Sequence, residues 1–378
     1  MAVVTAAEKH QLIAWIHRLD QDKRVKAIVP EQFFEKTLAK PLVAGPVSFG
    51  WAYWTGETDS RFWLKTRWTD LELSPAEETL IRQLFPLGHR FFAVEGAPSI
   101  PVAADGSPTV SLAVVELLVR DSRIDKLPSG EGVAVSGAIN AYLKKPGVAH
   151  AVPEAPGIAT WLDSLETEEV AGIFVSRCVL NGYRPRDFQG GPVDMDAICL
   201  GGEAQELEFL EFKRKDSAAG MYLPYDGADF DLLLEIALRY NRKQEEYVRD
   251  AFRRKLFVRS VGCFGLDSDS HAPNVAFCWK HGIRYRYLIW DQSPKTAPSL
   301  LLTPRYLPRH PLRLKDGLIC PENFHGISYS PPNESTAVGR DEPGQGSVRT
   351  QLMLDSRSMF TEYRMSPQLE ITLVGPPV

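Results

Sequence analysis

The 378-residue chain contains no run of 18 apolar residues, which argues against a membrane-spanning helix. Its first twenty residues, MAVVTAAEKHQLIAWIHRLD, lack the charged start and apolar middle of a secretory signal. Cysteine is scarce. Cys178, Cys199, Cys263, Cys278 and Cys320 are odd in number, widely spaced and free of any CxxC pair, which speaks against a zinc knuckle and a disulfide framework. A reducing cytoplasm is the expected compartment. The eight histidines include no HxxxH or HExxH, and no Walker loop, GxGxxG or GxSxG occurs. Nucleotide hydrolases, dinucleotide-dependent dehydrogenases and α/β-hydrolases therefore have no foothold. There is no excess of positive charge either. The net charge of −5 means that any polyanion site must be a local basic surface on an acidic body.

What is present is ordinary globular composition, 44% hydrophobic and 24% charged, in a chain longer than one typical domain. Residues 5–19 have helical spacing, with Leu12, Ile13, Trp15 and Ile16 clustered toward one side. Residues 47–73 hold Trp51, Trp54, Trp63 and Trp68 and read as strands around a Thr-Gly-Glu-Thr-Asp turn. Those tryptophans are core or, alternatively, stacking platforms for bases. Ser74, Pro75, Glu77 and Glu78 open a capped helix over 74–86. Residues 109–121 fit a buried strand or a short helix. The stretch 145–159, with three prolines and two glycines, is the linker candidate. Beyond it, 163–181 reads as a helix stopped by a left-handed Gly182. Residues 228–257 read as amphipathic helix, 283–290 as a strand, 330–347 as a polar loop and LEITLV as a last strand.

The chemistry concentrates in Gly191 to Asp216, GPVDMDAICLGGEAQELEFLEFKRKD. This reads as two short strands and a polar turn. Alternation puts Asp194 and Asp196 on one face of the first strand, and Glu211 and Lys213 on one face of the second. If the strands pair, two or three carboxylates and an ammonium converge, which suits a divalent cation beside a phosphodiester. Apolar neighbours on both faces (Ile198, Cys199, Leu200; Phe209, Leu210, Phe212) mark central strands, where charge needs a reason. The alternative is a structural charge pair, because Glu-x-Lys is common on exposed sheet faces.

The order helix, acidic strand, Glu-x-Lys strand, helix, strand resembles the core of the PD-(D/E)xK nuclease superfamily. That superfamily includes restriction endonucleases and Holliday-junction resolvases. The carrying residues are Asp196, or Asp194 after Pro192-Val193, and Glu211-Phe212-Lys213. The resemblance spans roughly 130 residues by assumed element lengths, about a third of the chain. It implies Mg²⁺-dependent hydrolysis of nucleic acid, DNA before RNA, with Mn²⁺ as a substitute metal. Asp196 and Glu211 would be metal ligands, with the Phe212 carbonyl a further one by family analogy. Lys213 would orient the attacking water and stabilise the transition state. Asp196 is preferred to Asp194 because an apolar strand follows it. A further family glutamate on the first core helix points to Glu169, beside Glu168, although acidic residues in a first turn also serve the helix dipole.

Residues 239–259 carry eight Lys or Arg against three acids. Arg239, Arg242, Lys243, Arg253, Arg254 and Lys255 are candidates for tracking a phosphate backbone, or else the polar face of a solvated helix. Asp267 to His271, Asp-Ser-Asp-Ser-His, reads as a polar turn before a metal loop. The expected architecture is α/β. A restriction-endonuclease-like core, a mixed central sheet flanked by helices, occupies 156–300. An N-terminal α+β recognition or regulatory domain occupies 1–155, and a C-terminal extension, 301–378, packs on the core. The expected partner is nucleic acid, with no membrane, and with homodimerisation or a partner protein compatible. The rival expectation is a catalytically inactive nucleic-acid-binding or assembly protein that retains the core.

Overall fold

A computed structural model describes residues 5–19, 47–66, 72–99, 108–144, 158–201, 204–215, 221–224, 257–260, 263–267, 274, 277–291, 299–302, 311–313, 319–321, 327–329, 350–355, 361–365 and 371–373. The chain is mixed α/β and divides into two compact units, Met1–Leu207 and Glu208–Val378. The division falls inside a strand. Most of the linker candidate at 145–159, all but its last two residues, lies outside the described residues, as do Trp68, residues 228–256 and the loop 330–347. Among the described residues no helix is long and apolar enough to cross a membrane.

The first unit opens with α1 (Ala6–Leu19), followed by the hairpin β1 (Trp51–Gly56) and β2 (Arg61–Lys65). Next come α2 (Pro75–Leu84), a 3₁₀ turn, β3 (Arg90–Ser99), β4 (Ser111–Arg120) and β5 (Arg123–Pro128). Three helices follow, α3 (Glu131–Leu143), α4 (Ile158–Ser164) and α5 (Thr167–Gly182). The unit closes with β6 (Phe188–Met195) and β7 (Ala197–Gly201). Its sheet runs β5-β4-β3-β2-β1-β6 and is antiparallel except for the β2–β3 pair. The residues at 109–121 are thus strand, not helix. Alternation sorts the sheet into two faces. Ala52, Trp54, Phe62, Leu64, Phe92, Val94, Leu112 and Val114 form one core with α1, α3, α4 and α5.

The opposite face holds Trp51, Trp63 and Phe91, with the two tryptophans fully buried. These rings are core, and their polar edges are satisfied inside it. Trp63 Nε1 donates to His89 Nδ1 at 3.2 Å. Trp51 Nε1 donates to Glu77 Oε1 at 2.9 Å, and the Lys65 ammonium donates to the same oxygen. Glu77 does more than pair. Its Oε2 accepts the Ser74 backbone N–H at 2.7 Å, while Ser74 Oγ accepts the Glu77 N–H, a complete capping box. The Ser-Pro-x-Glu start therefore fixes α2 and supplies the counter-charge of a buried lysine.

The helix read as 163–181 is two helices broken at Leu165–Glu166, and Gly182 is not a left-handed stop. Among the described glycines only Gly50, Gly88, Gly190 and Gly282 have positive φ. Gly182 ends α5 in ordinary helical form, and Tyr183 caps it in extended conformation. The glycine is required by approach: a Cβ there would lie 2.9 Å from both Cβ and Cγ of Tyr142 on α3. We expect Gly182→Ala to destabilise the protein by about 1–3 kcal/mol through overpacking. Gly172→Ala on the same helix meets nothing within 4 Å and should stabilise by about 0.5–1 kcal/mol. Urea-unfolding midpoints of the two variants check both signs. Glu77→Gln, which removes the carboxylate charge that pairs with buried Lys65, should cost on the order of 3 kcal/mol in the same measurement.

In the second unit β8 (Glu206–Lys215) continues from the boundary, followed by β9 (Met221–Pro224), β10 (Phe257–Ser260) and β11 (Cys263–Asp267). Then come β12 (Arg284–Asp291), β13 (Ser299–Leu302), β14 (Pro311–Arg313), β15 (Ile319–Pro321) and β16 (Ile327–Tyr329). The last strands are β17 (Thr350–Asp355), β18 (Thr361–Met365) and β19 (Ile371–Leu373). The main sheet of this unit has the order β19-β18-β13-β12-β8, with β8 and β12 parallel and the rest antiparallel. Smaller sheets are formed by β9 with β10, by β11-β17-β16 and by β14 with β15.

Candidate functional site

The two halves of the sequence motif belong to different units. Asp194 and Asp196 lie in the first, Glu211, Phe212 and Lys213 in the second. On β6, Gly190 takes a left-handed φ of 74° and the pairing with β1 shifts register between Tyr53 and Thr55. Pro192 follows that bulge on the edge strand of the sheet, where its missing N–H costs no ladder bond. Asp194 then pairs opposite Ala52, on the sheet face that α5 covers, and is half-buried.

Asp196 is not inside a continuous strand, as the sequence suggested, but occupies the break between β6 and β7. The cause lies across from it. Met195 pairs with Trp51, and Ile198 exchanges two 2.8 Å backbone hydrogen bonds with Ser48, so the register carries past Asp196 opposite Gly50. Gly50 has a φ of 81°, and its carbonyl accepts from Thr66 N at 2.6 Å and Thr66 Oγ1 at 3.1 Å. That carbonyl is turned away to Thr66, and regular pairing lapses at Asp196. Glu169 has a local task. Its carboxylate accepts the Glu166 backbone N–H at 2.9 Å, closing the capping box of α5.

On β8 the period of two holds through the motif. Glu208, Leu210 and Phe212 share one face, and Phe209, Glu211 and Lys213 the other. In the parallel register with β12, Glu211 stands beside Tyr287 and Lys213 beside Ile289. The Lys213 ammonium donates to Glu211 Oε1 at 2.5 Å. The lysine side chain is 35% exposed and the glutamate 14%. The second carboxylate oxygen, Oε2, is buried and has no hydrogen-bond partner among the described residues. The charge of the carboxylate is met by Lys213, but Oε2 itself is unsatisfied, and an orphaned acceptor of this kind is one that a bound cation can satisfy.

Two residues that the sequence reading passed over complete the surroundings. Tyr285 and Tyr287 lie on the Glu211 face, their rings nearly perpendicular with centroids 5.2 Å apart. Burial pushes the Tyr285 phenol well above its usual range. The nearby Glu211 carboxylate raises it further, as do Tyr287 and Cys278, while a hydrogen bond with Asn274 works the other way. On the opposite face Arg286 Nη1 donates to Glu208 Oε2 at 3.4 Å, with Glu208 fully buried. The alternating Arg-Tyr-Arg-Tyr of 284–287 was the available signal, since it places one pair of like residues on each face.

Among the described residues no three His, Cys, Asp or Glu side chains gather into a metal-binding group. Magnesium needs fewer, because it keeps waters and takes one or two carboxylates with substrate phosphate. Arg239, Arg242, Lys243, Arg253, Arg254 and Lys255 lie outside the described residues, as do residues 268–271 of the polar Asp-Ser-Asp-Ser-His run. No protein-family model, no curated protein and no solved structure matches the chain.

A raised tyrosine pKa sets a pH dependence. The native state holds the Tyr285 proton more tightly than the unfolded chain, whose tyrosines ionise near pH ~10. The stability linked to this proton is complete below that value and is lost as pH rises beyond it. Urea midpoints measured between about pH 9 and pH 11 should fall less steeply for Tyr285→Phe than for the wild type.

Proposed function

We propose that the chain is a metal-dependent nuclease built on a restriction-endonuclease-like core. It would hydrolyse phosphodiester bonds of DNA in the cytoplasm, in restriction, antiviral defence or repair, as a homodimer or with a partner protein. The observation that carries this reading is the Glu211–Lys213 contact on β8, with one buried oxygen of Glu211 left without a donor among the described residues. Charge on a buried strand is costly unless it is paired. A divalent cation at that oxygen would be the partner that none of the described residues provides.

In this reading Glu211 and the Phe212 carbonyl are the second unit's ligands for the ion. When bound, Mg²⁺, or Mn²⁺ in its place, acidifies a water and offsets charge on the phosphate. Lys213 is placed by strand alternation beside the carboxylate, so its ammonium orients the nucleophilic water and stabilises the negative charge of the transition state. Phe209 and Tyr287 flank Glu211, exclude water on the inner side and keep the carboxylate's counter-charge effective. The basic run 239–259 is the proposed phosphate-tracking segment, with Arg242, Lys243, Arg253, Arg254 and Lys255 as its contacts.

One observation favours the rival reading. The Glu208–Arg286 pair on the other face links neighbouring strands of the sheet, so β8 also uses charge structurally. A nucleic-acid-binding protein without chemistry would carry Glu211–Lys213 in that same capacity. The experiment is incubation of the purified chain with plasmid, linear duplex, single-stranded DNA and RNA, each with Mg²⁺ or EDTA. Cleavage should require the metal. Lys213→Ala and Glu211→Ala proteins that remain folded should lose about a hundredfold or more in rate. Wild-type rates in Lys213→Ala would remove Lys213 from the chemistry, and binding without cleavage under every condition would favour the rival.

A further inference from the structure

Lys213 and a divalent cation both require the Glu211 carboxylate. The ammonium already holds Oε1 at 2.5 Å, and Oε2 of the same group is the buried oxygen with no donor among the described residues. A carboxylate whose two oxygens are engaged in this way places the ammonium and a metal on Oε2 within a few ångströms of each other. Like charges at such a separation repel. The repulsion is strengthened by the apolar wall, where Phe209 and Tyr287 are both nearly or fully buried. It is moderated by solvent, because Lys213 is about one-third exposed.

We infer that Lys213 holds down the chain's own affinity for divalent cation, so that the metal is retained firmly only when a second anion shares the site. The inference rests on the nuclease reading and deepens it. In that setting the second anion is a phosphodiester, whose charge offsets the lysine and bridges to the metal. The free protein then carries little metal, and loading is coupled to the arrival of a polyanion. Lys213 thus has two effects of opposite sign: it promotes the reaction while weakening metal binding in the absence of substrate.

The test is direct metal binding, separate from any cleavage assay. Mn²⁺ is titrated into the full-length protein at low salt and followed by calorimetry or by water-proton relaxation. The proteins are wild type, Glu211→Gln, Lys213→Gln, Lys213→Met and Lys213→Arg, with circular dichroism to establish which are folded. Lys213→Gln and Lys213→Met, the second serving if the first fails to fold, should bind Mn²⁺ about tenfold more tightly than wild type. Lys213→Arg should stay within about twofold of wild type, because it keeps the charge. Glu211→Gln should lose binding.

Equal or weaker binding by the neutral variants, with Glu211→Gln still defective, overturns the inference and leaves the nuclease reading standing. Binding unaffected by Glu211→Gln, or absent from every variant, overturns both. Coupling is read in the same instrument by adding a short phosphorothioate duplex that resists cleavage. It should tighten Mn²⁺ binding in wild type by a larger factor than in Lys213→Gln, and equal factors in the two would count against the inference.

Discussion

Charge buried in a sheet must find its counter-charge within reach of the same face, and this constraint organises both units. A strand interior offers few positions for doing so: two residues along the strand, a neighbour in register, or a helix laid on top. The protein uses all three. Glu211 and Lys213 are two residues apart on β8. Glu208 reaches Arg286 on the adjacent strand. Lys65 meets Glu77 from the helix that covers it. Where a pair is buried, removing one member costs more than the intact pair contributes.

The three pairs differ in completeness. Glu77 has both oxygens engaged, by Trp51 and Lys65 on one and by its own helix cap on the other. Arg286 lies over Glu208 in a setting that buries both. Of these three carboxylates, Glu211 is left with a buried oxygen that no group among the described residues answers. A closed pair stabilises a fold, whereas an open one is a place where something else can bind. That difference, more than the presence of charge, separates the candidate site from the two structural pairs.

Local features were readable from the sequence wherever one short-range rule decided them. Ser74, Pro75 and Glu77 announced a helix start because a capping box needs only those spacings. The Trp-rich hairpin, β12 and the pairing of Glu211 with Lys213 on one face followed from alternation alone. What failed to show was set by distant residues. Gly182 resembles a helix stop until Tyr142, forty residues earlier, is seen to press against it. The interruption at Asp196 depends on Gly50 giving its carbonyl to Thr66. The pairing of Glu208 with Arg286 required the parallel register of β8 with β12, which no turn residue encodes.

The described free thiols have a practical consequence. Cys178 and Cys199 are sealed in the first unit and Cys278 in the second, all of them inaccessible to solvent in the folded state. A thiol reagent can reach them only when the surrounding layer opens, so the rate of modification reports the opening free energy of that layer. Because each unit holds at least one such sulphur, mass-resolved labelling distinguishes a fluctuation confined to one half of the polypeptide from loss of the whole native state.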